Sequence, residues 1–214
     1  MAIRFQIRPT VPFDWEYLLG RLSQKIRSGD CLVELGASVP EKTNDLAKLC
    51  AEVIGIELIP ERVPLPPAPN VRYIVDDAQY LNSLPDSSAD VIVAAHLIEH
   101  LADDRIFLES IIRVLKAGGF ALISTPNRKR LTRRVIESFR GSRSFPWWEH
   151  VREYDAGDLQ SLAREISDTS VTARFDGIGF GLCGGPIWIY SVVVPALLNH
   201  FANYWIIELE KPLE

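Results

Sequence analysis

At 214 residues the chain is long enough for one large domain, and no shift of composition along it calls for two. Hydrophobic residues make up 47% and charged residues 24%, so a packed core needs no disulfide or metal staple. A net charge of −5 argues against a general nucleic-acid binder. Cys31, Cys50 and Cys183 are odd in number and lack metal-type spacing, so they read as reduced thiols of a cytoplasmic protein and no metal site is expected. The amino-terminal MAIRFQIRPT lacks the apolar run of a signal peptide.

In chain order, residues 15–26 carry Leu18, Leu19, Leu22 and Ile26 at helical spacing, and Ser28-Gly29-Asp30 makes a turn. Residues 31–35 read as the first strand of an alternating α/β pattern, 46–53 as the back of the first crossover helix and 53–57 as the second strand. Five prolines at 60, 64, 66, 67 and 69 leave room only for a very short second crossover helix. Residues 71–75 predict strand three. The almost wholly apolar residues 90–95 predict a central strand four covered on both faces. A helical stripe runs over 104–115, with Lys116-Ala-Gly-Gly119 as its basic last turn and glycine cap, and 120–125 is strand five, stopped by Pro126. Residues 171–178 and 204–209 are the last two strands.

Between them, 178–203 is expected to be an apolar helix. Its glycines, Pro186 and Pro195 make it a poor membrane span. Burial or a homodimer contact is the plain reading of this helix, and peripheral contact with a membrane or lipid-like substrate is the alternative.

In an open parallel sheet, ligands bind beyond the carboxyl ends of the strands. Three features fall there. Glu34-Leu-Gly36-Ala-Ser38 ends strand one and enters a helix whose start offers N–H groups. Glu57 ends strand two 21 residues after Gly36 (57 − 36), the spacing at which a carboxylate reaches a ribose. Asp76-Asp77-Ala78 ends strand three, where a carboxylate can accept from an adenine amino group. Singly, Gly36 serves a tight turn, Glu57 a solvated strand end and Asp77 a helix cap; in register they outline an adenosine-shaped slot.

Val33-Glu34-Leu35-Gly36-Ala37-Ser38, Ile56-Glu57 and Asp77-Ala78 are followed by Ser88-Ala-Asp-Val-Ile-Val-Ala-Ala-His-Leu-Ile-Glu-His100-Leu101 and Leu115-Lys-Ala-Gly-Gly-Phe-Ala-Leu-Ile-Ser-Thr-Pro126-Asn127. Together they resemble the successive motifs of class I S-adenosylmethionine-dependent methyltransferases, in their small-molecule branch. The resemblance implies a Rossmann-like α/β fold with a seven-stranded, mostly parallel sheet, helices on both faces and the last strand antiparallel. It implies S-adenosylmethionine as cofactor and S-adenosylhomocysteine as product. Carried over by residue, Glu34, Gly36, Ala37 and Ser38 would border its methionine part and Glu57 would hold the ribose. Asp77 and Ala78 would read the adenine, and Ala95 and His96 would lie beside the sulfonium end. The family's first loop usually carries two further glycines where this chain has Ser38 and Pro40, so the loop is either reshaped around the cofactor or weakened.

On the acceptor side, His150 in Phe145-Pro-Trp-Trp-Glu-His-Val-Arg-Glu-Tyr154 resembles stretches of related enzymes and is the candidate catalytic residue; otherwise it packs between Trp148 and the helix from Ala156. Trp147 and Trp148 would wall the acceptor pocket or anchor its lid. His100 is expected to hydrogen-bond within the site wall, and His200 to be structural. Arg128, Lys129, Arg130, Arg133, Arg134, Arg140 and Arg143 form a basic stripe, read as a solvated helix face or as an attractor of an anionic small-molecule substrate. The leading expectation is in-line methyl transfer to a small or lipid-like acceptor. Against it stand a methyltransferase-like binding or scaffold protein and, more remotely, an NAD-dependent oxidoreductase.

Overall fold

The computed structural model describes residues 6–9, 13–141, 149–166, 171–182, 187–192 and 194–213. A short strand β1 (Gln6–Pro9) precedes α1 (Phe13–Lys25), β2 (Cys31–Leu35), α2 (Pro40–Ala47) and β3 (Glu52–Glu57). The proline-rich stretch then makes one short 3₁₀ turn, Pro60–Arg62, in place of a crossover helix. There follow β4 (Val71–Val75), β5 (Ala89–Ala95), α3 (Asp104–Val114) and β6 (Leu115–Pro126). Next come α4 (Leu131–Arg140), α5 (Ala156–Glu165) and β7 (Thr172–Ile178). The last strands are β8 (Phe180–Leu182), β9 (Ile187–Ser191) and β10 (Tyr204–Glu210).

Seven strands form the main sheet in the order β4-β3-β2-β5-β6-β10-β7. Pairing is parallel from β4 through β6, and β10 runs antiparallel between β6 and β7. Because successive strand residues point to opposite faces, the inner strands feed two cores. Val33, Leu35, Ile54, Ile92 and Ile123 pack with Phe107 and Ile111 of α3 and Leu159 of α5. Leu32, Val53, Val91, Val93 and Leu122 face the other way, onto Trp15, Leu18 and Leu22 of α1 and Leu46 of α2. Helices therefore cover both faces, as the family resemblance implies.

The helices start where their caps allow. Asp103 accepts from the Ile106 N–H at 3.0 Å ahead of α3, and Asp155 caps α5 through the Gly157 and Asp158 N–H groups. Pro40 is the first residue of α2, a position whose N–H has no helical partner, so the proline costs this helix nothing. At the far end of the sheet, Arg21 and Lys25 of α1 both pair with the buried Glu208 of β10.

Two expectations change. The described residues within 178–203 are not an apolar helix: they include β8, β9 and the 3₁₀ helix Ala196–Phe201. The β-branched and aromatic run of Ile187–Ser191 prefers a strand, and it finds antiparallel partners in β8 and in β1, a segment at the opposite end of the sequence. Lys116 to Gly119 do not cap α3 either. The helix ends at Val114 and the chain enters β6 at once, its register against β5 shifting between Ala89 and Val91. Cys183, Arg143, Trp147 and Trp148 lie outside the described residues. Among the described residues no helix is long and apolar enough to cross a membrane.

Gly55 is tightly packed near the carboxyl end of β3. A Cβ there would lie 2.5 Å from the Tyr73 ring and 2.8 Å from the Ala37 Cβ. Gly55→Ala should therefore lower stability by about 1–3 kcal/mol, read as a reduced urea midpoint with an unchanged slope.

Candidate functional site

The carboxyl ends of β2, β3 and β5 open onto a cavity of about 550 Å³, within the usual range for ligand pockets of about 300–1,000 Å³. Its walls include Gly36, Ser38, Lys42, Glu57, Asp77 and His96. A hollow of similar size, about 540 Å³, lies at the opposite ends of the strands around Asp30, Asp90 and Gly118. Only the first sits where parallel strands end and their crossovers part.

The turn after β2 is built on its own backbone. Gly36 has φ of +77°, and its N–H and that of Ala37 both donate to the Ile56 carbonyl, at 2.9 and 3.0 Å. Leu97 lies over Gly36 from the neighbouring strand end. At the start of α2, Pro40 has no N–H, while those of Lys42 and Thr43 donate to the Val39 carbonyl. Positive charge at this turn is supplied instead by the Lys42 ammonium, which also stands 5.1 Å from the Trp15 ring.

Glu57 is buried, and its Oε1 accepts from the Ile59 N–H at 3.0 Å. Asp77 closes its own turn: Oδ1 accepts from the Gln79 N–H at 2.8 Å, and its carbonyl takes the Tyr80 and Leu81 N–H groups. Asp77 thus closes its own turn and also lines the cavity. Glu57, Asp77, Gly36, Ser38, Ala78, Ala95 and His96 thus meet at one cavity, and Pro40 does not intrude into it.

Glu34 and Ala37 stand apart from the other expected residues, since neither lines the cavity. Ala37 is fully buried beneath it. Glu34 turns inward and accepts a 2.6 Å hydrogen bond from the Thr43 hydroxyl. Burial pushes its carboxyl up to about 7, against the opposing pull of that hydroxyl and of Lys42.

His96 ends β5 in the left-handed region, φ +55°, with its N–H on the Ser124 carbonyl. Its Nε2 lies 2.7 Å from Asp14 of α1 and its Nδ1 lies 3.3 Å from Glu99. Burial opposes its charge, but the two carboxylates outweigh that and push it up to about 9. Asp14 is correspondingly held below the ordinary carboxylate value by His96, although burial alone would raise it. Glu99 is fully buried and also accepts from the Thr125 hydroxyl at 3.0 Å.

His150 does not line the cavity. Its ring stands edge-on to that of His100, which does, with centroids 4.9 Å apart. Its Nδ1 lies 3.1 Å from Glu153, a buried carboxylate also held by Arg130 and Arg133. Much of the basic stripe is thereby neutralised within the fold: Lys129 pairs with Asp155, and Arg133 is itself buried. His100, a wall residue, donates from Nδ1 to the Glu149 carbonyl, 2.9 Å away. His200 is exposed on its 3₁₀ helix.

Asp14, Lys42, Glu99 and Glu153 are the site residues that sequence reasoning passed over. An acidic residue in the first turn of α1 reads as an ordinary helix-start preference, and nothing local says that Asp14 meets residue 96. Glu99 lies within the quoted Leu-Ile-Glu-His block, and its burial was the missing signal.

The sheet order, with a cavity at its switch point, defines a doubly wound α/β protein. Residues 33–123 match the family described as "Methyltransferase domain". A protein of Mycolicibacterium smegmatis named probable S-adenosylmethionine-dependent methyltransferase is 32% identical over 72% of this chain and 59% of its own length. A ubiquinone biosynthesis O-methyltransferase of Xanthomonas oryzae pv. oryzae is 28% identical over 55% of this chain and 50% of its own. The chain thus spans between half and three-fifths of these relatives. In fold, YcgJ of Bacillus subtilis superposes with a TM-score of 0.66 over 93% of this chain and all of its own, at 15% identity. Over residues 33–123 the chain is thus similar to methyltransferase domains, and over a longer stretch to a protein named as an S-adenosylmethionine-dependent methyltransferase.

The Glu34 shift sets a pH dependence. The folded carboxyl holds its proton up to about pH 7, whereas the unfolded one releases it near 4.5, so folding retains a proton in that window. Stability contributed by this group is present below pH 4.5 and lost as pH rises through 7. Glu34→Gln should remove that decline, about 3 kcal/mol at most, seen by comparing urea midpoints of both proteins at pH 5 and pH 8.

Proposed function

We propose that the chain transfers a methyl group from S-adenosylmethionine to a small, lipid-like and anionic acceptor. One observation carries the reading: Glu57 and Asp77, from successive strand ends, share a single cavity with the Gly36 turn and the Lys42 ammonium. In this reading the two oxygens of Glu57 accept from the ribose hydroxyls, with the Ile59 N–H keeping the carboxylate in place. Asp77 and the Ala78 backbone take the adenine, and Lys42 meets the cofactor carboxylate, replacing N–H groups that Pro40 and the Val39 carbonyl take from the loop. Ala95 and His96 flank the sulfonium end. Glu34 and Ala37 act from beneath, as supports of the turn. Transfer is an in-line displacement, so the chain's main task is alignment.

The acceptor side supports a lipid-like, acidic molecule. On α4, Val135 and Phe139 are exposed beside Arg134 and Arg140, and the Thr132 hydroxyl ties the helix to β8, where Leu182 is exposed. Leu197 adds a further exposed apolar side chain. Apolar surface bordered by guanidinium groups suits an acceptor with a hydrocarbon part and an anionic head, free or seated in a membrane surface. The similarity to an enzyme named for ubiquinone biosynthesis points the same way. His150 is proposed to act on the acceptor through His100.

Calorimetry with S-adenosylhomocysteine, S-adenosylmethionine and NAD tests the assignment: the sulfur nucleotides should bind and NAD should not. Binding of neither sulfur nucleotide would leave a scaffold protein. Glu57→Ala should weaken S-adenosylhomocysteine about 10- to 100-fold, from the loss of charge-assisted hydrogen bonds, while the thermal melt stays in place.

A further inference from the structure

We infer that Glu99, His100 and His150 form a divalent-metal site at the acceptor edge of the cavity, one that would bind and activate an oxygen acceptor. The chemical use rests on the proposed methyl transfer; the binding of metal does not. One ligand atom from each of the three side chains lies within 4.8 Å of the other two. Ligands about 2.0–2.2 Å from one ion sit about 3–4 Å apart, so a small closing of the side chains brings them to coordination.

The groups behind the cluster argue for more than chance proximity. The Nδ1 of His100 faces a backbone carbonyl, which can only accept, so that nitrogen carries the proton and Nε2 keeps the lone pair. The Nδ1 of His150 faces the Glu153 carboxylate with the same result. Such second partners, a carbonyl or a carboxylate on the far nitrogen, are what fix the tautomer and raise the basicity of metal-bound histidines. Glu153 is itself held by Arg130 and Arg133. The third ligand, Glu99, is anchored by Thr125, and its own carbonyl accepts from the Val151 N–H at 2.8 Å. That backbone bond brings the segment carrying His150 against the turn carrying Glu99 and His100.

Two imidazoles and one carboxylate suit Zn²⁺, Mn²⁺ or Fe²⁺ and leave coordination positions for substrate. His100 and Glu149 both line the cavity, so those positions face the place where an acceptor would lie. A hydroxyl bound there loses its proton to solvent water more readily. Its oxygen then forms the O–CH₃ bond as the S–CH₃ bond breaks, and the sulfonium takes the bonding pair and departs as the neutral thioether.

The test is calorimetry of the chelator-treated chain with Zn²⁺ alone, alongside S-adenosylhomocysteine titrations of every protein used. One Zn²⁺ should bind per chain. His100→Ala and His150→Ala should each weaken it by at least about 100-fold, and in His150→Ala, which leaves the cavity wall untouched, S-adenosylhomocysteine affinity and the melting curve should hold. His200→Ala, which changes an exposed histidine elsewhere, should bind as the unaltered chain does. Co²⁺ should give visible d–d absorption that both site variants lose. Absence of saturable Zn²⁺ binding, or equal affinity in His100→Ala and His150→Ala, overturns the metal site. A failure of S-adenosylhomocysteine binding with Zn²⁺ binding intact would overturn the methyl-transfer reading instead.

Discussion

The structure depends on one topological constraint. β2 and β5 are neighbours in the sheet, but the chain leaves them toward opposite faces. After β2 it turns into α2, whose Leu46 joins the core with α1; after β5 it reaches α3, whose Phe107 joins the other core. Between the two departing crossovers the sheet cannot cover its own edge, and a crevice opens. Both departures demand unusual backbone, a left-handed Gly36 on one side and a left-handed His96 on the other. Glycine adopts that conformation freely; histidine does not, and it is held there by Asp14, Glu99 and the Ser124 carbonyl.

That constraint also explains why so much charge lies buried at this end. Asp14, Glu34, Glu99 and Glu153 are all removed from water, and each answers to a specific partner. Asp14 and Glu99 share the His96 cation, Glu153 holds Arg130 and Arg133, and Glu34 has only a hydroxyl and stays largely protonated until about pH 7. The floor of the crevice is thus a rigid array of paired groups, while its mouth keeps Lys42, Arg62 and His100 facing the cavity. Buried pairs of this kind contribute little net stability but resist rearrangement, which suits a site whose function is alignment.

The altered glycine loop shows how local chemistry can be replaced. A proline where the family usually has glycine looks damaging when the loop is read alone. At the first position of α2 its fixed φ is an asset and its missing N–H has no duty. What the loop loses in N–H donors, the Lys42 side chain two residues later returns as charge. The residues 178–203 teach the opposite lesson. Their apolar run reads as a buried helix, yet the preference of Ile187 and Ile189 for extended backbone is realised by pairing with Gln6–Pro9. No periodicity inside the run announces a partner that far away.

The order of β2 to β6, the crossover helices, the weak second crossover and the strand-end residues Gly36, Glu57 and Asp77 were legible because each is a local property. Alternation, caps, prolines and strand length are written within a dozen residues. The pairing of Asp14 with His96, the meeting of Glu99 and His100 with His150, and the three-stranded sheet of β1, β9 and β8 were decided by the tertiary structure alone. Each joins segments far apart in the chain, 82 residues in the case of Asp14 and His96, or depends on burial that turns an ordinary carboxylate into a fixed one. Sequence thus determined which chemistry reaches the carboxyl edge of the sheet. Packing of the distant segments determined how those groups are charged, oriented and combined.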